Sequence, residues 1–228
     1  MLYLGGQGYG FLIAFGMAVA DPTAFWGLFL MVLSAGIAFA VSVRLTECSV
    51  LWGPFRFRPA TSASLANHRR SSALQTAVMW TIFLLLIPLA IWLVEEVFKW
   101  DAFRFEFPIW LAIVAFLSWV GLRAMWVMTR EGDGTPLPAS CPRALVTAGP
   151  FAHIRNPMAL GGIAQGFAVG LGAGSWLIMA YAFLGAVWWD LLARPSEEAY
   201  LASSFGEKYD HYKASVRCWI PKTRPYQD

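Results

Sequence analysis

Charge is scarce in this 228-residue sequence: 14% of its residues are Asp, Glu, Lys or Arg, against 58% hydrophobic residues. A soluble domain carries about 25% charge and about 45–50% apolar residues. A water-surrounded fold of this composition would expose large apolar patches, so lipid is the simpler solvent. Cysteine is scarce too. Cys48, Cys141 and Cys218 are far apart and odd in number, and no CxxC or Cys/His cluster occurs. Neither a disulfide framework nor a zinc site is indicated, and no metal is expected. GxSxG, P-loop, HExxH and Rossmann fingerprints are all missing. The net charge is only +3 and the bases are spread over several loops, which leaves no nucleic-acid face. Aromatics are plentiful, with 12 Trp and 17 Phe, and such side chains collect at membrane–water interfaces. With a mean hydropathy of +0.54, the composition points to an all-α membrane protein of one domain.

A spanning helix needs about 20 mostly apolar residues. Residues 23–43, 74–94 and 108–128 qualify, and Pro88 is expected to kink the second. The apolar stretch 157–193 is too long for one crossing, and its centre, GLGAGS at 170–175, is a turn signal. It reads as a tight helical hairpin, 157–171 and 175–193, whose first arm is short. The count is five spans, or six if residues 1–20 also cross, turning at Asp21-Pro22. That segment has no basic leader region and reads as mature chain.

Lys and Arg fix the expected orientation. Arg44, Arg56, Arg58, Arg69 and Arg70 lie in the 44–72 loop; Arg130, Arg143 and Arg155 lie in the 129–156 loop. Six more bases follow from Arg194 onward, while Lys99 and Arg104 alone fall on the other side. Both loops and the C-terminal tail should therefore be cytoplasmic. The polar mass lies there as well, so chemistry has room only on that side. The chain divides into N-terminal transmembrane helices, 1–128, and a second region, 129–228, that carries the loop, the hairpin and the tail.

Within that region, Pro157 suits the first turn of a helix and Asn156 its N-cap. Free N–H groups there could hold an electron-rich ligand group, or merely start a helix. Asp190 and Arg194 are four apart and can pair on one helix face. Glu197 and Glu198 follow Ser196, a candidate cap, and are ordinary helix-start acids or a carboxylate pair beside Arg194 facing a cationic ligand. Tyr200, Leu201 and Phe205 form one stripe, and Gly206 can end that helix. A second short helix carries Tyr209 and Tyr212, and Trp219-Ile220-Pro221 could return to the membrane, so the tail reads as an amphipathic cap. Arg123 should snorkel or pair with a carboxylate such as Asp190. Glu95 and Glu96 should be solvated, and His68 and His153 isolated. GGIAQG at 161–166 permits close helix packing.

Three blocks in order, GTPLPASCPRALVTAGPFAHIRNPMALG, RPSEEAYLASSFG and EKYDHYKASVRCWIP, resemble the isoprenylcysteine carboxyl methyltransferase family and its bacterial relatives. Phospholipid N-methyltransferases look like more distant cousins. The resemblance runs from about Gly134 to Tyr226. It implies an integral membrane methyltransferase of a bacterial inner (plasma) membrane that uses S-adenosylmethionine. It also implies a cytoplasmic cofactor pocket roofed by the tail and an opening to the bilayer for a lipophilic or amphipathic acceptor. Carried over by position, Arg155, Asn156, Pro157, Leu160, Gly161 and Glu197 would line the cofactor side. Arg194 and Glu198 would orient the acceptor or tune its charge, and Tyr209 and Tyr212 would close the lid. Asn156 stands where many members have His, Ala159 where many have Tyr, and Pro195-Ser196 changes the Arg-to-Glu spacing. Whether a carboxylate, an amine or a thiol is methylated is left open.

The same residues allow a non-enzymatic membrane protein, a small transporter or an assembly subunit, with Arg194, Glu197 and Glu198 passing an ion. No internal repeat supports it, and the spans are poor in polar residues. A lipid-modifying hydrolase or reductase would need a nucleophile–base pair or dinucleotide motif that the sequence lacks.

Overall fold

The computed structural model describes residues 12–46, 59–60, 65–100, 103, 105, 107–135 and 141–227, without the side chains of 22 and 42–46. Residues 1–11 of the questioned first span lie outside the described residues. So do Cys48, Arg56, Arg58, Arg104 and the side chain of Arg44.

The described residues form seven α-helices and no strand, only an isolated bridge between Pro59 and Cys141. Residues 12–20 form α1. The expected turn follows: Asp21 Oδ1 accepts from the Thr23 N–H at 2.9 Å and from its hydroxyl at 2.8 Å. Then come α2 (Phe25–Thr46), α3 (Leu65–Phe98), α4 (Ile109–Glu131), α5 (Pro157–Ala173), α6 (Trp176–Phe205) and α7 (Glu207–Ser215). Helices α3, α4 and α6 are long and apolar enough to cross a membrane. The apolar part of α2, Phe25–Val41, and α5 are shorter apolar helices. Every stretch read as a span is thus helical, and the protein is an all-α membrane protein.

Two of the long helices contain a proline and continue through it. A proline has no N–H to return to the preceding turn. In α3 a π-helical stretch, Thr81–Leu86, precedes Pro88, and the Ile87 N–H reaches Ile82 O. In α6 the same device, Trp189–Ala193, precedes Pro195, and the Arg194 N–H reaches Trp189 O. Such π-bulges absorb the mismatch without ending the helix. The second corrects an expectation. Ser196 does not cap a new helix; its hydroxyl donates to Leu192 O at 3.2 Å, and Glu197 and Glu198 sit inside α6 rather than at a positive helix end.

Helix α5 sits between α4 and α6 and can do so because its packing faces are small. A Cβ at Gly166 would lie 3.1 Å from the Ala182 Cβ, and one at Gly161 would lie 3.8 Å from Leu117 O. Gly174, at φ 67°, makes the left-handed turn of the hairpin. Ser175 Oγ then accepts from the Ile178 N–H at 2.9 Å, and Glu95 Oε1 accepts from the Leu177 N–H at 3.3 Å. Glu95 is therefore not solvated, as its position suggests; it is 6% exposed because it caps α6. Around this end lies an aromatic cluster of Phe15, Phe25, Phe98 and Trp100, tied to α1 by Trp100 Nε1 donating to Ala18 O at 3.0 Å.

At the opposite end the tail folds back over the loop before α5. Gly206, at φ 54°, ends α6. Tyr209, Tyr212 and Val216 are buried against Leu145, Leu201, Phe205 and Tyr226. Backbone bonds from Arg155 to Arg217 O, Lys222 to His153 O and Tyr226 to Ala152 O stitch tail to loop. His153 is not isolated, since its Nδ1 lies 2.9 Å from Lys222 O. Neither is His68, which is buried with Nε2 3.4 Å from Asp133 Oδ1. Arg123 is exposed and lies 5.2 Å over the Trp126 ring rather than pairing with Asp190.

Candidate active site

Helices α3, α4, α5 and α6 line a partly open cavity of about 510 Å³, within the range of about 300–1,000 Å³ usual for ligand pockets. Most of its wall is apolar or aromatic, including Trp80, Phe83, Met158, Ile163, Tyr181 and Trp189. Gln75, Thr76, Gln165, Asn156 and Glu197 supply its polar groups, and among the described residues no Lys, Arg or His lines it.

The polar end is built where α5 begins. Pro157 occupies the first helical position, and Asn156 precedes it with its side chain making no cap bond. That side chain turns to α6 instead: Asn156 Nδ2 donates to Glu197 Oε2 at 2.9 Å. The first-turn N–H groups of α5 are left without intrahelical partners, as at any helix start. One residue away, Arg155 Nη1 donates to Glu198 Oε1 at 2.9 Å, and Lys213 Nζ lies 2.7 Å from Glu198 Oε2. Two adjacent pairs, 155–198 and 156–197, thus fasten the start of α5 to α6.

The expected Asp190–Arg194 pair is present, with Arg194 Nη2 donating to Asp190 Oδ2 at 3.1 Å. Trp219 Nε1 donates to Asp190 Oδ1 at 2.8 Å, and its ring meets Trp189 edge-on. Arg194 also reaches within 3.9 Å of Glu198 Oε1. The tail is locked at this point by Tyr212, whose hydroxyl donates to Phe151 O at 2.7 Å. Burial, and then the charge of Glu198, pushes the Tyr209 hydroxyl from 10.0 up to about 12. Burial raises Tyr212 as well, and lifts the Cys218 thiol from 9.0 to about 11.

Of the residues singled out in the sequence, Asn156 and Glu197 line the cavity. Arg155, Arg194 and Glu198 form the ion-pair network next to it. Pro157, Leu160 and Gly161 belong to the first turns of α5, where the Leu160 N–H bonds Asn156 O at 3.1 Å. Tyr209 and Tyr212 are buried in the tail above the loop. Sequence reasoning missed Gln75, Thr76 and Gln165. Uncharged polar residues within apolar spans were the available signal, since a membrane interior has few other reasons to keep them.

The fold and this site define a membrane protein with a polar-ended cavity between its helices. Residues 108–208 match the model of the phospholipid methyltransferase family, somewhat under half of the chain. The matched stretch holds α4, α5, α6 and the start of α7, and so both Asn156 and Glu197. That family is the one the sequence ranks as the more distant cousin, and the match supports a membrane methyltransferase. Comparison with curated proteins and with solved structures gave no match.

Proposed function

We propose that the protein is an S-adenosylmethionine-dependent methyltransferase acting on a lipophilic or amphipathic acceptor, held in a membrane with the loops 44–72 and 129–156 and the tail on the cytoplasmic side. The observation that carries it is the bond between Asn156 and Glu197 at the polar end of an otherwise apolar cavity, inside the matched stretch. The residues fit the cofactor. Glu197 offers a carboxylate at a cavity lined by no cationic side chain among the described residues, which suits a ligand with a cationic sulfur and an ammonium group. The aromatic walls suit its adenine and an acceptor's hydrocarbon. When bound, the cofactor supplies an electrophilic methyl group.

The chain's own part is positioning. Asn156 holds one oxygen of Glu197 and so aims the carboxylate. Arg155 and Lys213 neutralise Glu198, which keeps a second carboxylate from crowding the first. Arg194, fixed by Asp190, steadies the same network. Tyr209 and Tyr212 dock the tail that fixes the loop holding Arg155. Such a site works mainly by fixing geometry, for which effective molarities of about 10⁵ M or more are known. The apolar walls exclude water and strengthen the charge interactions. Incubating the purified protein with methyl-labelled S-adenosylmethionine in lipid vesicles tests this: label transferred to the lipid fraction supports it, and no transfer together with no binding of the cofactor's product overturns it.

A further inference from the structure

The acceptor's chemistry is written on the wall contributed by α3, which lies outside the matched stretch. Gln75 lines the cavity, and its Nε2 donates to Ser71 Oγ at 3.1 Å. Its Oε1 is buried with no hydrogen-bond partner among the described residues. A buried carbonyl oxygen without a partner is costly, and a donor that reaches it recovers that cost.

The other polar groups around the cavity are bonded to the protein. Thr76 Oγ1 donates to Met125 Sδ at 3.2 Å, and the Tyr181 hydroxyl donates to Phe83 O at 3.2 Å. Gln165 Nε2 donates to Ser118 Oγ at 2.7 Å, and Asn156 Nδ2 is given to Glu197. Each amide nitrogen carries a second N–H and Glu197 adds a carboxylate, so the wall holds both donors and acceptors, with Gln75 Oε1 the buried acceptor that lacks a bond among the described residues. An ionised carboxylate ligand has only acceptors to offer. It could give Gln75 Oε1 no hydrogen bond, and among the described residues no cation lines the cavity.

We infer that Gln75 is a specificity-determining residue whose Oε1 receives a hydrogen bond from the acceptor's headgroup, and that this headgroup is an N–H or O–H donor, an amine or alcohol, rather than a carboxylate. This rests on the methyltransferase reading for what the cavity holds. The α3 wall then reads the acceptor while Asn156 and Glu197 read the cofactor.

The test uses two neutral amphiphiles of one chain length, 12-bromododecan-1-ol and its methyl ether, which differ in a single O–H. Bromine quenches tryptophan at short range, and Trp80 and Trp189 line the cavity. In detergent-purified protein the alcohol should half-saturate the quenching at a concentration about tenfold below the ether, the effect of one hydrogen bond. Gln75→Met should erase that difference, and Gln75→Glu, which keeps acceptor oxygens, should retain it. Equal half-saturation in the unaltered protein, no saturable quenching, or a difference that survives Gln75→Met would each overturn the inference. Calorimetric binding of S-adenosylhomocysteine is measured on the same samples. Its loss with the alcohol preference intact removes the methyltransferase reading and leaves Gln75 as a donor-reading residue of another ligand site. Its presence without the preference removes the role of Gln75 alone.

Discussion

Asn156 and Glu197 are joined by a bond of 2.9 Å across 41 residues of chain, and this bond ties the start of α5 to the C-terminal part of α6 at the cavity. The Asn156 side chain gives up the capping role that its position suggests. An N-cap bond is worth about 1 kcal/mol, so a side chain that forgoes it is better used elsewhere. Here it is used to aim a carboxylate.

Gly162 gives the cleanest way to close the cavity without disturbing the fold. It lines the cavity, and a Cβ there would meet nothing within 4 Å. Gly162→Leu should fold with unchanged thermal stability and lose S-adenosylhomocysteine binding or acceptor methylation at least tenfold. Gly166→Leu is the contrast. Its Cβ would already press Ala182 at 3.1 Å, so it should unfold the hairpin at lower temperature. Melting curves in detergent alongside the binding measurement separate the two outcomes.

The two arginine pairs of the loop should differ in value. Arg155 and Glu198 are 12% and 17% exposed, whereas Arg143 and Asp133 are each 48% exposed. Arg155→Ala leaves Glu198 with Lys213 and the more distant Arg194 and should cost about 2 kcal/mol. Arg143→Ala breaks a solvated pair and should cost less than about 1 kcal/mol. Chemical denaturation of the purified protein ranks them, and equal costs would show that the 155–198 pair does not hold the loop.

Docking of the tail should weaken in alkali. The folded Tyr209 hydroxyl is raised from 10.0 to about 12, and the Cys218 thiol from 9.0 to about 11. Both are neutral when protonated, so between those limits the docked tail keeps protons that a free tail has lost. Stability falls with pH wherever the folded form binds more protons. It is therefore full below pH 9.0 and declines as pH rises through about 11 and then about 12. Peptide-level mass spectrometry of alkylation should find Cys218 nearly inert at pH 8 and modified steeply above pH 10, faster than thiolate formation on a fixed structure allows.

Much of this architecture is legible in the residues. Composition and apolar runs locate the helices. GLGAGS marks the hairpin turn, Pro157 marks the start of α5, and Gly206 marks the end of α6. The failures have a common physical source. Pro195-Ser196 reads as a helix boundary because a proline without an N–H normally ends one; the π-bulge at Trp189–Ala193 removes that requirement, and no residue pattern announces it. Glu95 reads as a solvated acid because its partner, the Leu177 N–H, lies 82 residues away in sequence. The candidate site was half visible. Local motifs bring out Asn156 and Glu197, whereas Gln75 enters the cavity only when α3 packs beside α5 and α6.

The most direct test is calorimetric titration of S-adenosylhomocysteine into the purified protein, into Asn156→Ala and into Glu197→Gln. Micromolar binding to the unaltered protein is expected, weakened at least tenfold in each variant. Because the two side chains share one bond, the double variant should be little worse than the weaker single one. Absence of binding to the unaltered protein, or undiminished binding to Glu197→Gln, would contradict a cofactor site at the Asn156–Glu197 pair.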